Sequence, residues 1–227
     1  ANNNTGVGYR SLYANTTGTT NSAFGADSLK SNTTGQQNTA IGQEALRDNT
    51  TAIFCTAVGK SALQNNETGN NNTAVGALAL DANTTGGNNT VVGRSAATTN
   101  TTGSALTAVG YTALENNSTG SNSTAIGQSA LQANTTGDNN TAVGLNCGAT
   151  NTTGANNVAM GVNTFRLNTT GSNNTAIGRD ALESNTTASN NTVVGYQALQ
   201  VNTTGTENAG LGAYVLRANT TGQRNTA

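Results

Sequence analysis

Apolar and polar residues follow one another along this chain in a pattern that repeats every 17 residues. A glycine preceded by a bulky apolar residue stands at thirteen places, from Gly8 to Gly212, always 17 residues apart. The repeat reads N-T-A-V-G-x-x-A-L-x-x-N-T-T-G-x-x, and its positions are numbered from the first asparagine. The copy from Asn72 to Asn88 matches it throughout and serves here as the reference coil. Such a strict, short period is typical of solenoids, in which each copy stacks on its neighbours.

The period predicts an all-β fold, a parallel β-solenoid (β-roll or β-helix) with one coil per 17 residues. Helices are not expected, because Asn, Thr and Gly dominate the repeat and propagate helices poorly. Disorder is not expected either, because the phase is strict and the chain contains no proline. We interpret residues 1–227 as a single array of about thirteen coils and as a segment of a longer fibre.

Charged residues indicate which repeat positions face water. Position 10 carries a charge in seven copies, whereas positions 1 to 5, 8, 9, 12, 14 and 15 carry none in any copy. Because unpaired charges are rarely buried, the uncharged positions are predicted to be the buried ones. Position 4 is always large and apolar and position 9 is usually leucine, so these two stripes are the predicted core. Central members of the two stripes are Val58, Val75, Val92, Val109, Ile126, Leu63, Leu80, Leu114 and Leu131.

Asn at position 12 and Thr at position 14 occur in all thirteen copies, which predicts that both point inward. Stacked Asn side chains can then hydrogen-bond to one another along the axis as a ladder. The predicted ladder residues include Asn83, Asn100, Asn134, Asn151, Thr85, Thr102, Thr136 and Thr153. An alternative is that each N-x-T is a glycosylation acceptor, which requires an exposed amide.

Side chains of a strand alternate between its two faces, so positions 1, 3 and 5 lie opposite positions 2 and 4. The face formed by positions 1, 3 and 5 carries small, uncharged side chains, which favours close packing against another chain. Its predicted interchain residues include Ala40, Gly42, Ala74, Gly76, Ala176 and Gly178. We therefore expect a homo-oligomer, either an intertwined or side-by-side homotrimer or a filament.

Composition argues against chemistry at a site. Only 8% of the residues are charged, there is no histidine, and net charge is −1. With so few side chains that can act as acids or bases, neither an enzyme nor a cofactor is expected. The metal-ligating residues are also too few for a metal site. The few basic residues do not cluster, so no nucleic-acid partner is expected, and no apolar run is long enough for membrane insertion. Cys55 and Cys147 are interpreted as small buried residues, too far apart to bridge.

The repeat unit resembles known fibre repeats. The segments NTAIGQEALRDNTTAIF from Asn38, NTAVGALALDANTTGGN from Asn72 and NTAIGRDALESNTTASN from Asn174 are similar to the tandem repeats of phage-type tail-fibre proteins. The N-T-A-I-G core also resembles the S-V-A-I-G strand of trimeric autotransporter adhesin heads, whose repeat is shorter and lacks the A-L-x-x-N-T-T-G arm. This resemblance implies a trimeric stalk-like or head-like β-roll that is extracellular, on a cell surface or a virion. Val75 or Ile177 would match the apolar strand position, and Gly76 or Gly178 the turn.

These observations favour a structural or adhesive fibre segment, a stalk, head or tail-fibre shaft that acts by self-assembly and surface contact. Its ligand on a host surface is not identified by the sequence. An ice-binding β-solenoid is the alternative, and its distinguishing feature would be exposed Thr rows on a flat face. A functional amyloid-like filament is a further alternative, because Asn-rich repeats can also stack between chains.

Overall fold

The computed structural model describes residues 2–227, which form an all-β chain with no helix. A three-residue parallel strand begins at position 2 of every copy, so the β-solenoid prediction is confirmed. The strands are β1 Thr5–Val7, β2 Ser22–Phe24, β3 Thr39–Ile41, β4 Thr56–Val58, β5 Thr73–Val75, β6 Thr90–Val92, β7 Thr107–Val109, β8 Thr124–Ile126, β9 Thr141–Val143, β10 Val158–Met160, β11 Thr175–Ile177, β12 Thr192–Val194 and β13 Ala209–Leu211.

The contacts between residues divide the chain into two compact units. The first comprises Ala1–Thr112 with Asn116–Thr119, and the second Ala113–Glu115 with Gly120–Ala227. The first unit contains β1 to β7 and the second β8 to β13, and within each unit consecutive strands pair in parallel. Equivalent repeat positions stand side by side, since Thr73 pairs with both Thr56 and Thr90.

Backbone hydrogen bonds between coils extend well beyond the strands. In the reference coil the Thr73 amide donates to the Asn89 carbonyl of the next coil at 2.8 Å, and the Gly76 amide donates to the Val58 carbonyl of the preceding coil at 2.8 Å. On the opposite wall the Leu80 amide donates to the Ala96 carbonyl at 3.0 Å. The polar backbone groups are therefore paired along the stacking direction, which holds each position over its equivalent in the next coil.

Each coil closes through left-handed backbone turns. Gly76 has φ +136°, and a Cβ there would lie 2.5 Å from the Gly93 carbonyl oxygen, so position 5 accepts only glycine. The expected stacking of Gly42 between the glycines of its neighbouring coils is confirmed by the same geometry. Positions 7, 9 and 17 are also left-handed, as in Leu80 with φ +54° and Asn88 with φ +61°. Leucine is unfavourable in this region, and its burial offsets that cost.

The core of each coil is lined by positions 3, 8 and 9. In the reference coil Ala74, Ala79 and Leu80 are each 0% exposed. The leucine stripe at position 9 is confirmed, because Leu63, Leu80, Leu114 and Leu131 are all buried. The interior is narrow, since a single leucine and two alanines per coil fill the space between the walls.

The prediction of a second core stripe at position 4 was wrong. These side chains point away from the interior and are half-buried or exposed: Val58, Val75, Val92, Val109 and Ile126. The reason is steric, because the leucine at position 9 leaves room only for a small residue on the facing strand. Position 3 therefore points inward and position 4 outward.

The predicted interchain face was wrong for the same reason. Ala40, Ala74 and Ala176 are 0% exposed inside their own chain, so they cannot meet another one. Gly42, Gly76 and Gly178 are half-buried and pack on the backbone glycine of the next coil. Their small size reflects a narrow coil interior and close coil stacking.

The asparagine part of the predicted ladder is confirmed. Asn83 and Asn100 are 0% exposed, and the Asn100 Nδ2 atom donates to the Asn83 Oδ1 atom at 3.0 Å. Asn151 donates to Asn134 in the same way at 2.9 Å. The threonine part was wrong, because all the position-14 side chains named above are exposed: Thr85, Thr102, Thr136 and Thr153. The threonine that hydrogen-bonds between coils is the half-buried one at position 13. The Thr84 hydroxyl, for example, donates to the Thr101 carbonyl of the next coil at 3.1 Å.

Candidate functional surface

The outward side chains of positions 2 and 4 form the surface that we call the Thr/Val face. Because strands of one unit pair in register, equal side chains follow one another at the strand spacing of about 4.8 Å. In the first unit the position-2 row includes Thr39, Thr56, Thr73, Thr90 and Thr107 in consecutive coils. In the second unit Thr124 and Thr141 are followed by Val158 and then Thr175.

The position-4 row leaves apolar surface open to solvent. In the first unit Val7 is 55% exposed and Ile41 is 44% exposed, and in the second Met160 is 40% exposed. Every member of this row is apolar: Val7, Phe24, Ile41, Val58, Val75, Val92, Val109, Ile126, Val143, Met160, Ile177, Val194 and Leu211. An ordered series of exposed apolar side chains is uncommon on a soluble protein, which makes this row a candidate interaction surface.

Charge is excluded from the Thr/Val face although solvent reaches it. The solvent-facing corners accept both signs, and several of these charges form ion pairs between coils, such as Arg10 with Asp27 at 2.8 Å and Arg166 with Glu183 at 2.9 Å. No copy places a charged residue at positions 2 or 4. The exposed face without charge therefore consists of positions 2 and 4, and not of positions 1, 3 and 5 as predicted from the sequence.

A second uniform surface is the row of threonines at position 14. All thirteen copies have Thr there, and all thirteen are exposed: Thr17, Thr34, Thr51, Thr68, Thr85, Thr102, Thr119, Thr136, Thr153, Thr170, Thr187, Thr204 and Thr221. Constancy at this position had indicated burial, and the structure places these side chains on the outside. Within each unit the row presents one methyl and one hydroxyl group per coil.

The interior of the coils pairs its own buried polar side chains. Among residues 2–227 every buried side-chain nitrogen or oxygen atom has a hydrogen-bond partner. A second asparagine ladder at position 1, which sequence reasoning missed, supplies many of these bonds. The Asn72 Oδ1 atom accepts from the Asn89 amide at 3.0 Å, and the Asn72 Nδ2 atom donates to the Gly86 carbonyl at 2.7 Å. The signal was present in the sequence, because Asn recurs at position 1 with only small or apolar replacements such as Cys55.

The two cysteines are buried and free, as the sequence analysis predicted. Burial raises the pKa of the Cys55 thiol to about 11 and that of the Cys147 thiol to about 12. The reactive thiolate is therefore scarce at neutral pH. Cys55 occupies a ladder position, and its Sγ atom lies 3.3 Å from the Gly69 carbonyl oxygen that an asparagine amide would otherwise contact.

The described residues hold no group of three or more metal-ligating side chains in reach of one ion. They also contain no helix with the length and apolar character needed to cross a membrane. No protein-family model matches the chain, and neither a curated protein nor a solved structure matches it.

Proposed function

We propose that this protein is a structural fibre segment on a cell surface or virion, and that it acts by assembling with further copies of itself through the Thr/Val face. The observation that carries the proposal is the exclusion of charge from an exposed, partly apolar face. Water alone would not exclude charge there, because exposed positions 6, 16 and 17 of the same coils accept it, as at Lys60, Asp138 and Glu207.

A second copy of the chain is the occupant that fits this face best. Two uncharged rows can approach each other without repulsion and without burying an unpaired ion. Phe24 and Met160 make the position-4 row uneven, which a packing protein surface accommodates more readily than a flat lattice does. A homotrimer closes the assembly by cyclic symmetry and agrees with the resemblance of the repeat to fibre repeats.

The test is the mass of the full-length protein in solution, measured by sedimentation for three proteins. The unmodified chain and the control Gln128→Lys, at an exposed position where Lys60 occurs naturally, are expected to sediment as trimers. Val143→Lys places the same charge on the Thr/Val face and is expected to give monomers with unchanged circular dichroism. A monomeric unmodified protein at all concentrations would contradict the proposal. Polymers without a defined size would instead support the amyloid-like filament.

Ice binding is a second candidate function, favoured by the exposed Thr at position 14 of every coil. An inhibition assay for ice recrystallisation tests it directly. If this row binds ice, Thr85→Lys together with Thr102→Lys should abolish the inhibition, and Gln128→Lys should leave it intact. Absence of any inhibition by the unmodified protein would exclude this candidate.

A further inference from the structure

The N-x-T sequons of this chain fall into two classes that the structure separates by exposure. Those that begin at position 12 are buried inside the coil, except Asn15 and Asn219 in the terminal copies, which are half-buried. The Asn83 Nδ2 atom, for example, donates to Asn66 Oδ1 at 2.7 Å and to the Gly86 carbonyl at 2.9 Å. Because the side chain is 0% exposed and both amide hydrogens are engaged, this amide cannot act as a glycan acceptor in the folded protein.

A different set of sequons begins at position 17, at the corner just before the strand. Its asparagine is followed by a position-1 residue, which is buried in every case except the half-buried Asn4, and then by Thr at position 2. Each asparagine of this set is exposed: Asn3, Asn71, Asn88, Asn122, Asn139, Asn173 and Asn190. Asn71, Asn139 and Asn173 all have left-handed φ values near +57°, which turns the chain outward at the corner. The Nδ2 atoms of Asn71 and Asn139 each donate one exposed hydrogen bond to the asparagine of the next coil, at 3.3 Å and 3.2 Å, and the side chains stay open to solvent.

One copy has an asparagine at this corner without the Thr of the sequon, and it serves as an internal control. Asn156 has the same exposure and nearly the same backbone as its neighbours, with φ +59° against +57° at Asn139. Its position-2 residue, however, is Val158 instead of Thr, so the N-x-T pattern is broken there. Valine and threonine have nearly the same shape, and Val158 points outward, so the two residues can be exchanged without disturbing the core.

We infer that the asparagines at position 17 that are followed by N-x-T are acceptor sites for N-linked glycosylation, with a phosphate-activated sugar as the donor. The Nδ2 atom forms a bond to the anomeric carbon of the sugar, and the bond from that carbon to the donor phosphate oxygen breaks. The phosphate group leaves with the bonding electrons, and the amide gives one proton to the transferase. This inference does not depend on the proposed fibre. If the fibre forms, modification precedes assembly, because the Thr of each sequon lies on the Thr/Val face.

The test co-expresses the full chain in bacterial cells with one of two enzymes and maps the modified peptides of the soluble, folded product by mass spectrometry. One arm supplies a soluble transferase that uses a nucleotide-activated hexose, and the other a membrane oligosaccharyltransferase that uses a lipid-linked oligosaccharide. Modification is expected at Asn139 and Asn173 and not at Asn156. The arm in which it occurs identifies the class of donor.

Two matched variants make the test specific. Thr141→Val should reduce occupancy of Asn139 to background, and Val158→Thr should create a new glycan at Asn156, with no change in circular dichroism of either protein. Lack of modification in both arms, or modification of Asn156 without the Thr, would overturn the inference. So would modification of position-12 asparagines, such as Asn83 or Asn151, in the folded product.

Discussion

At the scale of single residues, the direction of a side chain in this fold depends on the space across the coil and not on its hydrophobicity. Ala74 is fully buried, while its larger apolar neighbour Val75 is only half-buried. The leucine at position 9 occupies the interior, so the facing strand can contribute only a small group. Position 3 accepts valine as its largest residue, at Val91 and Val193, both 0% exposed.

This geometry predicts losses of very different size for two adjacent substitutions. Ala74→Asp places an unpaired carboxylate in the core and should lower the free energy of unfolding by several kcal/mol, roughly 3 or more. Val75→Asp places the same group on the Thr/Val face and should lower it by about 1 kcal/mol or less in the isolated chain. Denaturant unfolding at low protein concentration measures both. A larger loss for Val75→Asp would reverse the assignment of the two faces.

The buried thiol of Cys55 makes stability depend on alkaline pH. Its pKa is raised by burial from 9.0 to about 11, so the folded state holds the proton more tightly than the unfolded state. The resulting stabilisation is complete below pH 9 and is lost as pH rises through about 11. Between about pH 8 and about pH 10 the unmodified protein should lose about 1 kcal/mol more than Cys55→Asn, which has the consensus residue and no thiol. Equal losses in parallel unfolding curves would show that this thiol is not desolvated.

At the scale of the coil, the sequence was sufficient for the architecture and insufficient for the direction of the strand faces. The constant interval between glycines such as Gly42 and Gly59 specifies the stacking, and the constant Asn at position 12 specifies a ladder. A strand of three residues, however, gives no independent sign of which face is inward. Size variation carried that information, because Phe24 and Met160 at position 4 are tolerated only where there is room outside.

The two asparagine ladders should differ in their tolerance of substitution. Position 1 already contains Leu106, whereas position 12 is Asn in every copy. Asn83→Leu removes two donated bonds and one accepted bond within the interior, and should cost about 2 kcal/mol or more. Asn72→Leu removes three donated bonds, to Asn66 Oδ1 and to the Gly69 and Gly86 carbonyls, and one bond accepted from the Asn89 amide. Each of the three acceptors keeps a bond from a position-12 asparagine, and Leu106 occurs naturally at position 1, so the cost should be about 1 kcal/mol. Chemical denaturation of the two variants compares them, and equal costs would argue that position 12 is constant for a reason other than its hydrogen bonds.

At the scale of the whole molecule, the interior residues hold the coils together and the outward residues are those available for contact with other molecules. Among residues 2–227 the coils pair all of their own buried side-chain nitrogen and oxygen atoms. We therefore expect that substitution of Val143 or other outward residues alters the proposed assembly without loss of the fold. The charged corners, with pairs such as Arg224 and Glu207 at 2.7 Å, keep the rest of the surface hydrated.

The absence of charge on the Thr/Val face predicts how assembly responds to salt. Contacts between charged surfaces weaken as salt screens them, whereas apolar contacts do not, and sulfate strengthens apolar burial. The assembled mass of the full chain should therefore stay constant when sodium chloride rises from about 0.05 M to about 1 M, and sodium sulfate should shift the monomer–trimer equilibrium toward the trimer. Arg166→Gln, which removes a corner charge, serves as the control and should leave this salt response unchanged. Dissociation at high sodium chloride would mean that the corners with their ion pairs form the contact, and that the Thr/Val face remains open to another partner.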